Sequence, residues 1–350
     1  MTRRRSLREL WRAGSAFGRY NVASWIGATV LGVTIVAALA APALAPHAAG
    51  DHADGLLNAP PTVPHVRDDA GGWHAPFIYP WRLENQLEQR YGQDRSTHVP
   101  LVWLSNGRLV QSSDEVRAPL MLLGADSFGR DVFSRVLFGA RLSLALAAVA
   151  ALGAMLLGSA VGALAGYAGG AWDDVLMRVT DFVMVLPAIY VALALRAVLP
   201  LVLPSRTVFA MLAGIFAIVG APFIARGVRA IVRSERRLDY AAAAQALGAS
   251  DLRVLAHHLL PATRGFIVVQ ITLLVPAFII AEATLSYVGL GFPDPIASWG
   301  TMLHDASSNI RVFGDFPWLL SPAVAMFLVV FGLNLVLQQS GAPVVYNEQK

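Results

Sequence analysis

The sequence predicts an all-α integral membrane fold with six spans and a small mixed insertion outside the membrane between the first two. Three observations lead there. The 350 residues are 56% hydrophobic and only 14% charged, too little charge to cover a soluble protein of this length. The apolar residues gather into runs of bilayer length, roughly 20 residues for about 30 Å of hydrocarbon at about 1.5 Å per residue. The arginines gather beside those runs, which membrane topology explains better than a nucleic-acid surface does.

The first run covers residues 25–44 and follows Arg3, Arg4, Arg5, Arg8, Arg12 and Arg19. Its apolar core is longer than a cleaved signal peptide carries, although Ala43 and Ala45 are small residues of the cleavage-site type. It reads as an uncleaved helix with its N-terminus in the cytoplasm. Further runs fall at residues 142–165, 175–198, 208–225, 266–285 and 318–337. Six crossings return the C-terminus to the cytoplasm. The expected layout is a cytoplasmic leader at 1–23, a first span at 24–45, an external insertion at 46–135, a membrane core at 136–338 and a cytoplasmic tail at 339–350. A cytoplasmic loop at 226–264 carries Arg226, Arg229, Arg233, Arg236, Arg237, Arg253 and Arg264, as the positive-inside tendency expects.

The insertion is polar. Pro60, Pro61 and Pro64 predict irregular chain at its start. Trp81, Leu83, Leu87 and Tyr91 suggest a short helix, and Asn106-Gly107 between apolar segments predicts a hairpin with a type I′ turn. The region is too small to bury much core alone, so it is expected to rest on the membrane portion or on a partner.

The loop between the fourth and fifth spans carries the most information. Asp239 can cap a helix whose apolar face is Tyr240, Ala243, Ala244 and Leu247, and Gly248 supplies a left-handed stop. Ser250 or Asp251 can cap a second helix with Leu252, Leu255 and Leu259 on one side, and Pro261 interrupts the pattern before the fifth span. The alanine run 241–244 allows close approach to a groove on a partner protein. An ordinary amphipathic surface helix is the alternative reading of the same periodicity.

Asp239-Tyr240-Ala241-Ala242-Ala243-Ala244-Gln245-Ala246-Leu247-Gly248-Ala249-Ser250, followed by His258-Leu259-Leu260-Pro261, resembles the "EAA" loop of ABC-importer permeases. Residues 123–135 (LGADSFGRDVFSR), continuing to Gly139, Arg141 and Ser143, are similar to the signature before the second span in the dipeptide/oligopeptide/nickel group. Gly289-Leu290-Gly291-Phe292, with Pro295 and Ser298-Trp299-Gly300-Thr301-Met302-Leu303, resembles the signature after the fifth span of its C-type subunit. The likeness covers roughly residues 120–310. Ala242 stands where that family usually has glutamate, the insertion is longer than usual, and the tail lacks the typical acidic and arginine-containing ending.

The resemblance implies a type I permease fold in a bacterial inner membrane. It also implies a complex with a homologous second permease, two ATPase subunits and an external solute-binding protein. The loop at 239–261 would be the coupling segment that docks on an ATPase, with close packing replacing the missing glutamate contact. ATP and Mg would be bound by the partner subunits and no cofactor by this chain. The transported solute would be a peptide or similar small molecule.

Other candidates follow from charge at membrane depth. Gly129-Arg130-Asp131 sits at the outer mouth of the second span, where it fits a structural lock, a binding-protein contact or a plain surface pair. Glu282 is the better candidate for lining a pathway, with a structural hydrogen bond as its alternative; Trp299 belongs to the same group. Asp181 complements a helix start, and Arg196 can snorkel. His47, His52, His65, His74 and His98 have no metal-site spacing. The absence of cysteine excludes disulfides and thiolate chemistry. No phosphate-binding loop of the Walker type is present, and no catalytic constellation stands out. A self-contained secondary transporter or channel is the rival reading; it calls for mid-membrane ionisable groups and an internal repeat, and no clear repeat is seen.

Overall fold

The computed structural model describes residues 22–69, 71–187, 190–191, 194 and 204–340. Helices α1 (Val22–Leu39) and α2 (Ala41–Leu44) come first. Strands β1 (His65–Arg67), β2 (Trp73–Ile78), β3 (Trp81–Asn85), β4 (Arg90–Gln93), β5 (Val99–Ser105) and β6 (Arg108–Ser112) follow. Next are α3 (Val132–Ala168), α4 (Gly170–Val185), α5 (Ser205–Glu235), α6 (Asp239–Ala246) and α7 (Asp251–Val254). The chain ends with α8 (Arg264–Tyr287), α9 (Trp299–Ser307) and α10 (Ser321–Ser340).

Five stretches among the described residues are long and apolar enough to cross a bilayer: Val22–Leu39, Val132–Ala168, Ser205–Glu235, Asp251–Tyr287 and Pro317–Leu337. The sixth expected span, 175–198, begins within α4, and most of its second half lies outside the described residues, Arg196 included. The arginine leader and residues 341–350 of the tail also lie outside them.

The membrane core is built on α3 and α5, the most extensive helix pairing. On α3, Ala150, Ala154, Gly158, Gly162 and Gly166 recur every fourth residue and face α5. A Cβ added at Gly158 would lie 2.5 Å from the Ala221 carbonyl oxygen, one at Gly166 2.7 Å from that of Arg229, and one at Gly162 would run into Ala225 O. The two backbones therefore touch. Apolar helices gain little from burial against each other in lipid, so close van der Waals contact through small residues holds such pairs. Phe278 of α8 stacks on Phe216 of α5 with centroids 5.4 Å apart, over the gap left by Gly220. On the other flank α1 crosses α10 closely at Gly27 and Gly332, and Ser24 Oγ donates to Leu335 O at 3.3 Å.

Helix α5 departs from expectation at its end. The chain does not leave the helix near residue 225 but runs helically to Glu235, so Arg226, Arg229 and Arg233 lie on a helix and not in a loop. Charge marked where the helix meets water, and nothing in those residues stops a helix. Asp173 of α4 accepts from Arg229 Nη2 at 2.6 Å and from Arg233 at 3.3 Å, and Asp181 pairs with Arg226.

The insertion is a β structure. Strands β1-β2-β5-β6 form an antiparallel sheet, and β3-β4 form a separate ribbon. Ile78, Val99, Leu101, Ala118 and Leu120 make its small core. The Asn106-Gly107 turn joins β5 to β6 as expected, with φ of 51° and 76°. The helix expected over Trp81–Tyr91 is instead the β3-β4 hairpin, with Leu83 opposite Tyr91. Leu83, Leu87 and Tyr91 fit a helical period, but Trp81 and Leu83 fit the two-residue period of a strand. Asn85 Oδ1 accepts the amides of Leu87 and Glu88, and Gln89 takes the left-handed conformation, so the turn needs no glycine.

The insertion rests on the membrane portion, one of the two supports expected for it. Its two ends run side by side: Asn58 N donates to Asp126 O, Ala125 N to Ala59 O, and Ala53 N to Gly129 O. Arg311, between α9 and α10, donates to Glu88 O at 2.9 Å.

The α3–α5 contact gives a direct prediction. Gly162→Val is expected to abolish folded protein in size-exclusion profiles of detergent extracts, whereas Gly214→Ala, whose Cβ would meet nothing within 4 Å, is expected to leave the profile unchanged. Equal profiles for the two variants would contradict backbone contact at Gly162.

Candidate functional site

The helix–turn–helix at 239–261 forms at the end of the bundle opposite the insertion, with three differences in detail. Asp239 is the first residue of α6 and does not cap it; Leu238 holds the cap position, with no side-chain hydrogen bond. Ser250 precedes α7 without bonding an amide, and Asp251 instead accepts the Tyr167 hydroxyl at 2.5 Å. Pro261 lies within a tight turn, Leu260–Thr263, that leads into α8 without a separate break.

The expected apolar face of α6 is divided. Ala241 is buried, and Ala244 packs against the membrane core. Tyr240, Ala243 and Leu247 point away from it, Leu247 being 89% exposed. Ala242 is exposed as well. Gly248 has φ of 85°, the left-handed conformation its position demands. In α7 and the turn after it, Leu255 and Leu259 are buried, whereas Leu252 is 75% exposed. The hydrogen bond from Tyr240 to Glu235 at 2.6 Å, reinforced by burial, pushes the phenol up to about 12. Tyr240 is therefore a neutral donor at any physiological pH.

At the insertion end, Gly129-Arg130-Asp131 form a dense polar joint. Gly129 has φ of 78°, and a Cβ there would lie 2.5 Å from Ala53 O, so both conformation and space require glycine. Asp131 caps α3 through the amides of Phe133 and Ser134 and accepts His47 Nδ1 at 3.2 Å. Arg130, buried, reaches Asp126 at 2.7 Å, Asp294 at 2.5 Å and Asp305 at 2.9 Å. Burial by itself would lower the Arg130 pKa; Asp126 and Asp294 outweigh it and hold the guanidinium above its usual range. Arg135 lies one turn on, 3.5 Å from Asp126 and 3.8 Å from Asp305. Asp126 lies in the same motif four residues before Arg130, whereas Asp294 and Asp305 escape sequence reasoning because they reach it from 164 and 175 residues away.

Glu282 is buried between α3, α8 and α9. It accepts Ser143 at 3.0 Å, Ser286 at 2.7 Å and Ser298 at 2.8 Å. Trp299 is fully buried beside it; its amide donates to Ser143 Oγ and its indole Nε1 to Val136 O at 3.1 Å. Gly139 leaves room for that ring. The two residues thus join three helices through one shared serine. Among the described residues no group of three or more His, Asp or Glu side chains is placed to hold a metal ion.

The balance of charge at the joint sets an asymmetric prediction. Two arginines meet three carboxylates, of which Asp294 is 68% exposed, so Arg130→Met leaves Asp126 and Asp305 with Arg135 alone and is expected to cost about 3–5 kcal/mol. Asp305→Asn evens the balance and is expected to cost far less. Thermal unfolding of the purified protein checks this; a larger loss in the aspartate variant contradicts it.

Residues 158–341 match the family described as "Binding-protein-dependent transport system inner membrane component". The chain is 38% identical to the oligopeptide transport system permease protein OppC of Bacillus subtilis (strain 168), over 61% of this chain and 67% of that one. It is 36% identical to the dipeptide transport system permease protein DppC of Alkalihalophilus pseudofirmus, over 68% of this chain and 76% of that one. It is also 36% identical to the glutathione transport system permease protein GsiD of Pectobacterium atrosepticum, over 61% and 68% of the two chains. With several membrane-length helices besides, the chain belongs to the family of inner-membrane components of binding-protein-dependent transport systems.

Proposed function

We propose that this multi-pass permease forms half of the translocation path of an ATP-driven importer for peptides or similar small solutes. The other half is a homologous second permease. Two ATPase subunits bind ATP and Mg and carry out hydrolysis, and an external solute-binding protein delivers the solute. Relatives named for oligopeptide, dipeptide and glutathione transport support the solute class.

The observation that carries this reading is the exposed apolar face of Tyr240, Leu247 and Leu252 around the left-handed Gly248. A short helix held against the bundle through Ala241 and Ala244, with the adjoining face uncovered, is built to seat in a groove of a second protein. With this end in the cytoplasm, Arg226, Arg229 and Arg233 lie on the positive-inside side and the insertion lies outside. Both chain termini are then cytoplasmic. ATP closing the ATPase pair moves the docked segment, and the bundle changes which side is open because the two states bind the closed pair unequally.

Replacing Gly248 by a β-branched residue tests the docking. In Gly248→Val the left-handed turn is strained by roughly 1–2 kcal/mol, which re-aims Leu247 and Leu252. The variant is expected to reach the membrane at normal levels, to lose co-purification of the ATPase subunits, and to take up radiolabelled trialanine at under a tenth of the normal rate. Normal co-purification together with normal uptake would falsify the coupling role.

A further inference from the structure

Tyr167, in the last turn of α3, holds more of the 236–251 segment than any neighbour on that helix does. Its hydroxyl donates to Asp251 Oδ1 at 2.5 Å and accepts from Gln245 Nε2 at 3.1 Å. Arg236 lies over its ring, 4.6 Å from the centroid, and donates to its carbonyl oxygen. That carbonyl is one of the last four of α3, which lack partners within the helix, and a cation there also suits the helix dipole. One residue therefore touches the chain before α6, the end of α6 and the start of α7. Gly169 and Gly170, both at positive φ, end α3 two residues later.

From this convergence we propose that Tyr167 is the positioning residue through which the docking segment acts on the membrane bundle. Displacement of α6 and α7 pulls on the end of α3 through the Asp251 and Gln245 contacts, and α3 carries it along its contact with α5. The proposal rests on the coupling role of residues 239–261. Most of the Tyr167 contacts lie at the water-exposed edge, so removing the hydroxyl leaves the packing of the bundle intact. The hydrogen bond to Asp251 is charge-assisted and the stronger of the two.

The chain has no cysteine, so Ala160→Cys, exposed in the groove between α3 and the start of α8, gives this chain a single site for maleimide labelling. The assembled complex, with its second permease and ATPase subunits, is placed in liposomes, and the change in labelling on adding ATP and Mg is measured per ATP hydrolysed. Tyr167→Phe is expected to reduce that ratio roughly tenfold, the scale set by losing one charge-assisted hydrogen bond. Asp251→Ala is expected to match it, and the double variant to fall no further.

An unchanged ratio in Tyr167→Phe overturns the proposal, and additive losses overturn the route through Asp251. Co-purification and uptake in Gly248→Val separate the two readings: if both stay normal, the coupling role fails first. Should Tyr167→Phe not assemble, Asp251→Asn and Gln245→Leu test the same contacts from the exposed side, and normal ratios in both overturn the proposal.

Discussion

Helices α3 and α5 touch backbone to backbone because α3 presents a small residue at every fourth position from Ala150 to Gly166. Lipid already satisfies apolar side chains, so only close contact and polar attachments can fix how two such helices lie. Rows of residues four apart form ridges, and a ridge without side chains lets the facing helix settle into a single register. The rest of the structure depends on that register. Asp131 and Arg135 at one end of α3, Ser143 further along it and Tyr167 at the other end each meet residues distant in sequence. A rotation of α3 by one residue, about 100°, would take all of them out of reach.

Charge is then placed where the register allows it to be matched. The joint of Arg130 and Arg135 with Asp126, Asp294 and Asp305 draws on the insertion end of α3, the segment before α9 and α9 itself. Buried ions of one sign cost several kcal/mol each unless opposite charges surround them, so such a joint holds only if every segment arrives together. At the other end Asp173 sits between Arg229 and Arg233, and these pairs are more exposed and weaker. The single carboxylate between these two zones, Glu282, is met by three serine hydroxyls and no cation.

Much of this fold was legible from residues 22–340, because span length and turn chemistry are local properties. The Asn106-Gly107 hairpin, the left-handed Gly248 and the long apolar runs needed only a few neighbouring residues to recognise. Errors arose where one pattern served two structures. Leu83, Leu87 and Tyr91 satisfy a helical spacing, but the turn chemistry of Asn85 and Gln89 decides for a hairpin. Tyr240 and Ala244 were grouped on one face, whereas Ala241 and Ala244 are the pair turned inward. Small size, not apolarity, chose the buried face. In the candidate site, Arg130 and Glu282 stood out as costly charges, but their partners did not. Asp294, Asp305 and Ser298 are ordinary polar residues until the helices bring them together.

The two ends of α3 differ in how they are held. Its 37 residues span about 55 Å at about 1.5 Å per residue. The insertion end is fastened by buried ion pairs, a side-chain cap and the Trp299 ring, so separating it exposes unpaired charge. The opposite end keeps its close backbone contact with α5 as far as Gly166 and is joined to the 236–251 segment by water-exposed hydrogen bonds at Tyr167, next to two glycines that tolerate a change of backbone angle. The bond to Asp251 is charge-assisted and the stronger of those two. On the coupling role proposed above, the Tyr167 contacts are where the Asp239–Asp251 segment takes hold of α3, and the insertion joint is where the helix is held fixed.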